Sequence, residues 1–98
     1  MLKIGIKGNL EAVVVKEKTA KVMGSGELDV YATPAMIALM EETAYKSVSA
    51  ELDEGMGSVG TLMNVKHVAA SPVGMKITCQ TELIEVEDTV FTRDTEEE

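Results

Sequence analysis

Apolar and polar residues follow recognisable patterns along this chain, and each pattern predicts a kind of structure. Residues 10–16 are rich in β-branched side chains, and residues 58–69 and 75–86 are extended segments on either side of a turn. These features predict three strands, the last two joined as a long antiparallel hairpin through the turn at residues 70–74. A last extended piece is expected at residues 89–92.

One helix is predicted between the first and second strands, over about residues 34–50. It begins with a proline, and Thr33 before it is a good N-cap residue. Residues 35–40 are all apolar, so the first turns of this helix are predicted to be buried on every side. Glu42 and Lys46 are spaced for an ion pair on the solvent side of the later turns.

The order of these elements is a strand, a buried helix and then further strands, in a chain of 98 residues. A chain of this length can build one small core. A sheet wrapped around one central helix is the α+β arrangement that buries such a helix. We therefore predict a single domain over residues 1–98, ending in an acidic tail at about residues 94–98 that is frayed.

Composition narrows the classes of function. Seventeen Asp and Glu residues against nine Lys and Arg residues give a net charge of −8, and binding to nucleic acid needs clustered positive charge, so no nucleic acid is expected as a partner. No apolar run approaches the ~20 residues of a membrane span, and no signal-peptide pattern opens the chain, so no membrane is expected either. Cys79 is the single cysteine, which fits a reducing cytoplasm, and it is predicted to be a buried structural thiol. One cysteine and one histidine, far apart in the chain, do not make a zinc site.

Four polar or glycine positions are candidates for chemistry, and each also has a structural explanation. His67 is the only histidine; strand alternation turns it toward the interior or a cleft, as a hydrogen-bonded core residue or as an acid–base group. Glu41 is predicted to be more buried than Glu42, and a buried carboxylate needs a partner or a function. Thr33 caps the helix or places its hydroxyl beside a substrate. Gly60, inside a predicted strand, indicates a bulge or a close approach of the backbone to a ligand.

Four stretches of the chain, taken together, resemble one family. They are ATPAMIALME at residues 32–41, GSVGT at 57–61, NVKHVAASPVG at 64–74 and ELIEV at 82–86. In this order and at these separations they resemble the fluoroacetyl-CoA-thioesterase-like branch of the hot-dog thioesterases, over about residues 10–87.

The resemblance implies a hot-dog fold, in which an antiparallel sheet wraps around one central helix, and hydrolysis of a small acyl-CoA to the free acid and CoA. The residues at the family's catalytic positions are Thr33, Glu41 and His67. The residues expected to bind the substrate are Gly60, Pro34 and Met40. No metal or redox cofactor is implied. The family usually continues into further β structure that this sequence does not show, so the sheet is expected to be shortened at the C-terminus.

Helix geometry constrains how the three residues act together. Eight residues of helix rise about 12 Å, so Thr33 and Glu41 of one chain cannot share a hydrogen bond. A composite site, built from two chains across a two-fold interface, satisfies this constraint and agrees with the dimers seen generally in hot-dog proteins. A homodimer is therefore expected. Two other interpretations stay open: a module that binds an acyl thioester or a small molecule without turnover, and a structural dimer with no ligand.

Overall fold

The computed structural model describes residues 2–86 and 90–97. Within these ranges the chain forms two α-helices, one 3₁₀ turn and three strands. Their bounds, in chain order, are β1 (Lys7–Val13), the 3₁₀ turn (Lys16–Lys18), α1 (Ala20–Met23), α2 (Thr33–Ser49), β2 (Lys76–Val86) and β3 (Val90–Glu97). The sequence of elements agrees with the predicted α+β class.

The three strands form one antiparallel sheet in which β2 is central and β1 and β3 are its neighbours. Strand β1 pairs with β2 from Lys7, opposite Glu82, to Val13, opposite Lys76. The pairing of β2 with β3 is irregular between residues 83 and 85. Both sides of β2 are therefore occupied along most of its length.

The strand predicted at residues 58–69, and its hairpin with the following strand, are wrong. Residues 56–71, here called the extended segment, form neither strand nor helix. Strand β2 already pairs with β1 and β3, so it has no free edge for a third partner. An apolar alternating pattern makes a strand only where a neighbouring backbone takes its hydrogen bonds.

The first strand begins at Lys7, earlier than the prediction of residues 10–16, and it ends at Val13. Beyond it, the N–H of Val14 donates to the carbonyl of Met75 at 2.9 Å, and the following residues turn into the 3₁₀ turn. The β-branched run predicted the strand but not its bounds. Val14 is buried like a core residue of a strand, but it lies beyond the last residue of β1.

The end of the chain also differs from the prediction. The extended piece predicted at residues 89–92 is part of a longer strand, β3, except for Thr89, which lies outside the described residues. The predicted fraying at residues 94–98 is wrong for residues 94–97, whose backbone pairs with β2. Glu98 lies outside the described residues.

Helix α2 is predicted correctly to within one residue at each end, and it packs against all three strands. The buried residues of the core lie mainly on this helix and on β2. They are Val14, Tyr31, Ala32, Ala35, Met36, Leu39, Met40, Ile77 and Cys79. The burial of Cys79 confirms that prediction.

Among the described residues, no helix is both long enough and apolar enough to cross a lipid bilayer.

The solvent side of α2 carries the predicted ion pair. Lys46 Nζ lies 2.6 Å from Glu42 Oε2, with both side chains about half exposed. The hydrogen bond and the negative charge of Glu42 raise the pKa of Lys46 above its ordinary value. The opposite side of the helix is left for the core and for the candidate site.

Candidate active site

Thr33 is the first residue of α2, and the structure corrects its predicted role as the N-cap. Ala32 occupies the cap position, with extended backbone angles (φ −74°, ψ 139°), and its side chain makes no capping hydrogen bond. The hydroxyl of Thr33 instead lies 2.8 Å from Nδ1 of His67. Because this hydroxyl is not used to close the helix, it is available to the site.

His67 reaches Thr33 from the extended segment, which is anchored on both sides of the histidine. On one side Val65 packs against the core. On the other side Ser71 is buried, and its carbonyl accepts a hydrogen bond from the N–H of Tyr31 at 2.8 Å. His67 itself is half-buried.

The hydrogen bond between Thr33 and His67 has two possible directions, and each leaves the histidine in a different state. If the hydroxyl donates to Nδ1, the neutral imidazole carries its proton on Nε2, which is then a hydrogen-bond donor and has no lone pair to take up a proton. If Nδ1 donates to the hydroxyl, Nε2 is left as the base. In the second arrangement the contact with Thr33 holds the ring in place while Nε2 takes up a proton and releases it again.

Glu41 lies beside the extended segment, not in the core. The prediction that it is the more buried of two adjacent glutamates is wrong, because Glu41 is exposed and Glu42 is half-buried. A Cβ added at Gly60 would lie 2.6 Å from Oε2 of Glu41. The backbone at residue 60 therefore comes up against the carboxylate, and glycine is the residue that leaves room for it. Gly60 has an ordinary negative φ, so this close approach, and not backbone strain, is the reason for glycine.

These contacts show how the extended segment runs. Gly60 lies beside Glu41 and His67 lies beside Thr33, so the segment runs antiparallel to the first turns of α2. The eight helical residues between Thr33 and Glu41 span about 12 Å. Among the described residues, no hydrogen bond joins Glu41 to either member of the other pair. One chain thus presents two separate pairs of site residues at two levels of the same helix.

The two remaining candidates occupy different environments. Pro34 is exposed in the first turn of α2, next to the threonine hydroxyl. Met40 is 7% exposed and belongs to the core, so the structure places it under the site and not at its surface. Within the described part of the chain, no group of three His, Cys, Asp or Glu side chains is placed to hold a metal ion.

Sequence reasoning did not single out the residues that hold the two pairs in position. Tyr31 is buried, and its hydroxyl donates to the carbonyl of Ala35 at 3.3 Å while its N–H donates to the carbonyl of Ser71, the last residue of the extended segment. An isolated bridge also joins Val30 to Pro72. In the sequence, Tyr31 is a tyrosine three residues before the predicted helix. This position does not distinguish an anchoring residue from an ordinary core residue.

Comparison with known proteins decides the family. Residues 14–96 match the family model described as fluoroacetyl-CoA-specific thioesterase. The chain belongs to this family. A relative, the fluoroacetyl-CoA thioesterase of Streptantibioticus cattleyicolor, is 41% identical over 59 residues, which are 60% of this chain and 42% of the relative. The matched part of the chain therefore spans less than half the length of that relative.

Solved structures confirm the predicted hot-dog fold. A point mutant of the fluoroacetyl-CoA-specific thioesterase, in complex with fluoroacetate and CoA, superposes with a TM-score of 0.90 at 29% identity, over 98% of this chain and 82% of that chain. A thioesterase superfamily member from Thermus thermophilus superposes with a TM-score of 0.87 at 26% identity, over 98% of this chain and 72% of that chain. The α+β arrangement of one long helix on an antiparallel sheet is thus the hot-dog arrangement.

Proposed function

We propose that this protein hydrolyses a small acyl-CoA to the free acid and CoA, in the cytoplasm, as a homodimer whose sites are each built from both chains. The observation that carries the proposal is the 2.8 Å contact between Thr33 Oγ1 and His67 Nδ1 at the start of α2. A hydroxyl and an imidazole held together are a common arrangement for acyl transfer. A single cysteine, buried in the sheet, is consistent with a reducing compartment.

The reaction needs a group that adds water to a carbonyl and a group that protonates the leaving sulfur. Water forms a bond to the thioester carbon, the C–S bond breaks, and the thiolate takes a proton. His67 is positioned to remove the proton from water or to supply the proton to sulfur, and Thr33 hydrogen-bonds the imidazole or the reacting carbonyl. The first N–H groups of α2, which the side chain of the cap residue Ala32 does not bind, can stabilise the negative charge on the carbonyl oxygen. No metal or redox cofactor is part of this proposal.

Glu41 has three possible roles in this scheme. Its carboxylate activates the water, attacks the carbonyl itself, or orients the histidine of the same site. Its position against Gly60 places the carboxylate next to the backbone of the extended segment. The first two roles need Glu41 close to the reacting carbonyl, and the third needs it close to the histidine. The separation of about 12 Å along the helix prevents this for Thr33 and His67 of the same chain.

A second copy of the chain resolves this separation. The extended segment exposes large apolar side chains: Val59 and Val68 are each 87% exposed, and Leu62 is 78% exposed. Exposed apolar residues on a backbone without strand partners are typical of an edge that pairs with another chain. If two copies of this segment pair antiparallel about a two-fold axis at its middle, Gly60 and Glu41 of one chain lie opposite the partner's His67.

The direct test is the release of free thiol from acetyl-CoA and fluoroacetyl-CoA. We expect the wild-type protein to turn over at least one of them, and we expect Glu41→Gln and His67→Ala to be slower by about 10² or more. Unfolding midpoints of the variants should match the wild type, because both side chains lie at the surface of the chain or near it.

Three outcomes would contradict parts of this proposal. Near-normal rates in both variants would remove Glu41 and His67 from the chemistry. Full activity in a protein that sedimentation shows to be monomeric would rule out the composite site. Thermal stabilisation by CoA without turnover of any short acyl-CoA would support the binding module instead.

A further inference from the structure

The lysines of this acidic chain are unevenly placed. Lys16, Lys18 and Lys21 fall within six residues, on the 3₁₀ turn and α1, and all three are exposed. We call them the lysine segment. None of them forms an ion pair with the described residues, whereas Lys46 and Lys76 are each held by a glutamate within 3.1 Å. The lysine segment is therefore the densest group of uncompensated positive charge in the described part of the chain.

Backbone hydrogen bonds hold the lysine segment against the start of α2. The N–H of Ala32 donates to the carbonyl of Lys18 at 2.9 Å, and the N–H of Ala20 donates to the carbonyl of Val30 at 2.8 Å. Ala32 directly precedes Thr33, whose hydroxyl meets the histidine. The positive charge and the proposed thioester site thus lie at the same end of the helix.

We infer that the lysine segment binds the phosphate groups of CoA while the acyl end of the same molecule lies at Thr33 and His67. The inference rests on the proposed acyl-CoA thioesterase function. A lysine ammonium group binds phosphate as a point charge and needs no fixed fork geometry, so flexible surface lysines are suited to this task. The pantetheine arm of CoA separates its phosphates from the thioester. The groups that bind phosphate are therefore expected at some distance from Thr33 and His67.

The local charges explain how an acidic protein takes up an anionic substrate. The net charge of −8 comes mostly from residues 82–98, which hold eight acidic residues and one arginine, whereas residues 1–81 hold nine acidic residues and eight lysines. At ordinary salt concentrations, charges farther away than about 10 Å are screened. Within the lysine segment the one acid is Glu17. Glu27 and Asp29 lie in the loop whose Leu28 carbonyl accepts a hydrogen bond from the N–H of Lys21 at 3.1 Å. Lys16 and Lys18 are therefore expected to contribute more to phosphate binding than Lys21.

The chain offers a matched control at the other end of α2. Lys7 precedes Gly8, which lies against Thr43 and Ser47 in the later turns of the helix. Lys3 lies in the same N-terminal part of the chain, and both lysines are exposed. The double variants Lys16→Gln/Lys18→Gln and Lys3→Gln/Lys7→Gln each remove two positive charges, so they change the net charge equally and differ only in position.

The experiment compares KM and kcat for acetyl-CoA and for acetyl-pantetheine, which carries the same thioester without phosphate. For Lys16→Gln/Lys18→Gln we expect the KM for acetyl-CoA to rise roughly three- to tenfold at low salt, and the effect to shrink as salt is added. The kcat for acetyl-CoA and both constants for acetyl-pantetheine should stay unchanged. The control Lys3→Gln/Lys7→Gln should behave as the wild type with both substrates.

Equal effects on both substrates, or equal effects of both double variants, would overturn the inference and leave the proposed thioesterase function standing. If no thioester is turned over by any form, the proposed function fails instead. Calorimetric dissociation constants for CoA and pantetheine then decide the inference separately: weaker binding of CoA alone, and only in Lys16→Gln/Lys18→Gln, supports it, and unchanged binding of CoA contradicts it.

Discussion

Two segments of the chain approach helix α2 closely, β1 at Gly8 and the extended segment at Gly60, and the two contacts differ in kind. On the sheet side, a Cβ added at Gly8 would lie 2.8 Å from Cβ of Ser47 and 2.9 Å from the carbonyl oxygen of Thr43. On the other side, a Cβ added at Gly60 would lie 2.6 Å from the carboxylate of Glu41. The first neighbours are atoms of the helix itself and cannot move, whereas the second is the free end of a flexible side chain.

This difference separates packing from chemistry in a very small protein. The contact on the sheet side contains no ionisable group, and it fixes the distance between β1 and α2. The contact at the extended segment is exposed and contains the candidate site. Substitutions on the sheet side should therefore change stability, and substitutions at the extended segment should change activity.

The largest effect is expected for Gly8→Ala. The new methyl group would also meet Thr81 Oγ1 at 2.5 Å, so the helix and the sheet must move apart, which costs about 1–3 kcal/mol in the free energy of unfolding. Urea unfolding measures this loss. The thiol-release rate per folded molecule should not change, and a variant as stable as the wild type would show that β1 does not set the helix position.

The next effect is expected for Gly60→Ala, with Gly57→Ala as its control. A methyl group at residue 60 displaces the Glu41 carboxylate, and a shift of about 1 Å in a reacting group can lower kcat/KM by about 10². Residue 57 lies in the same segment, and a Cβ there meets no atom within 4 Å. Neither variant should lose stability, because removing a loop glycine restricts the unfolded chain. Equal rates for the two variants would show that the close approach of Gly60 to Glu41 does not matter for activity.

A smaller effect is expected for Thr33→Ala, compared with Thr33→Ser. Loss of the hydroxyl that binds His67 should lower the rate about tenfold, the size of one net hydrogen bond, and serine should restore most of it. The stability of both variants should lie within about 0.5 kcal/mol of the wild type, because Thr33 does not cap the helix. If Thr33→Ala instead loses about 1 kcal/mol of stability at an unchanged rate, Thr33 acts as a cap and not as a site residue.

The smallest effect is expected for Thr81→Val, on the sheet side. The hydroxyl of Thr81 is buried and has no hydrogen-bond partner in the described part of the chain. Valine has the same shape without the polar atom, so we expect an increase of about 1 kcal/mol in the free energy of unfolding and an unchanged rate. A loss of stability on urea unfolding would mean that this hydroxyl has a role in the packing of Gly8.

Local sequence patterns predicted those features that depend on residues a few positions apart in the chain. Six consecutive apolar residues predicted a helix start buried on every side, and this is wrong because Ala38 is exposed and Ile37 is half-buried. The spacing of Glu42 and Lys46 correctly predicted their ion pair. Cys79 is buried as predicted, and the side chains that alternate with it on the same face of β2, Ile77, Thr81 and Leu83, are buried too. These features depend on period and composition alone.

Partners that are distant in the sequence were not predictable in this way. The extended segment has the apolar pattern of a strand, but whether it forms one depends on a free edge, and β1 and β3 occupy both edges of β2. The position of Glu41 against Gly60 likewise depends on the path of this segment along α2. The contact of Thr33 with His67 joins residues 34 positions apart, which helix and strand periodicity do not relate.

Complementation between two inactive variants tests the composite site most directly. Glu41→Gln and His67→Ala chains with different tags are co-expressed, and the mixed dimer is purified through both tags. If each site takes Glu41 from one chain and His67 from the other, one of the two sites in the mixed dimer is intact, and we predict about half the wild-type rate. A mixed dimer as inactive as the two parent variants would contradict a site shared between chains.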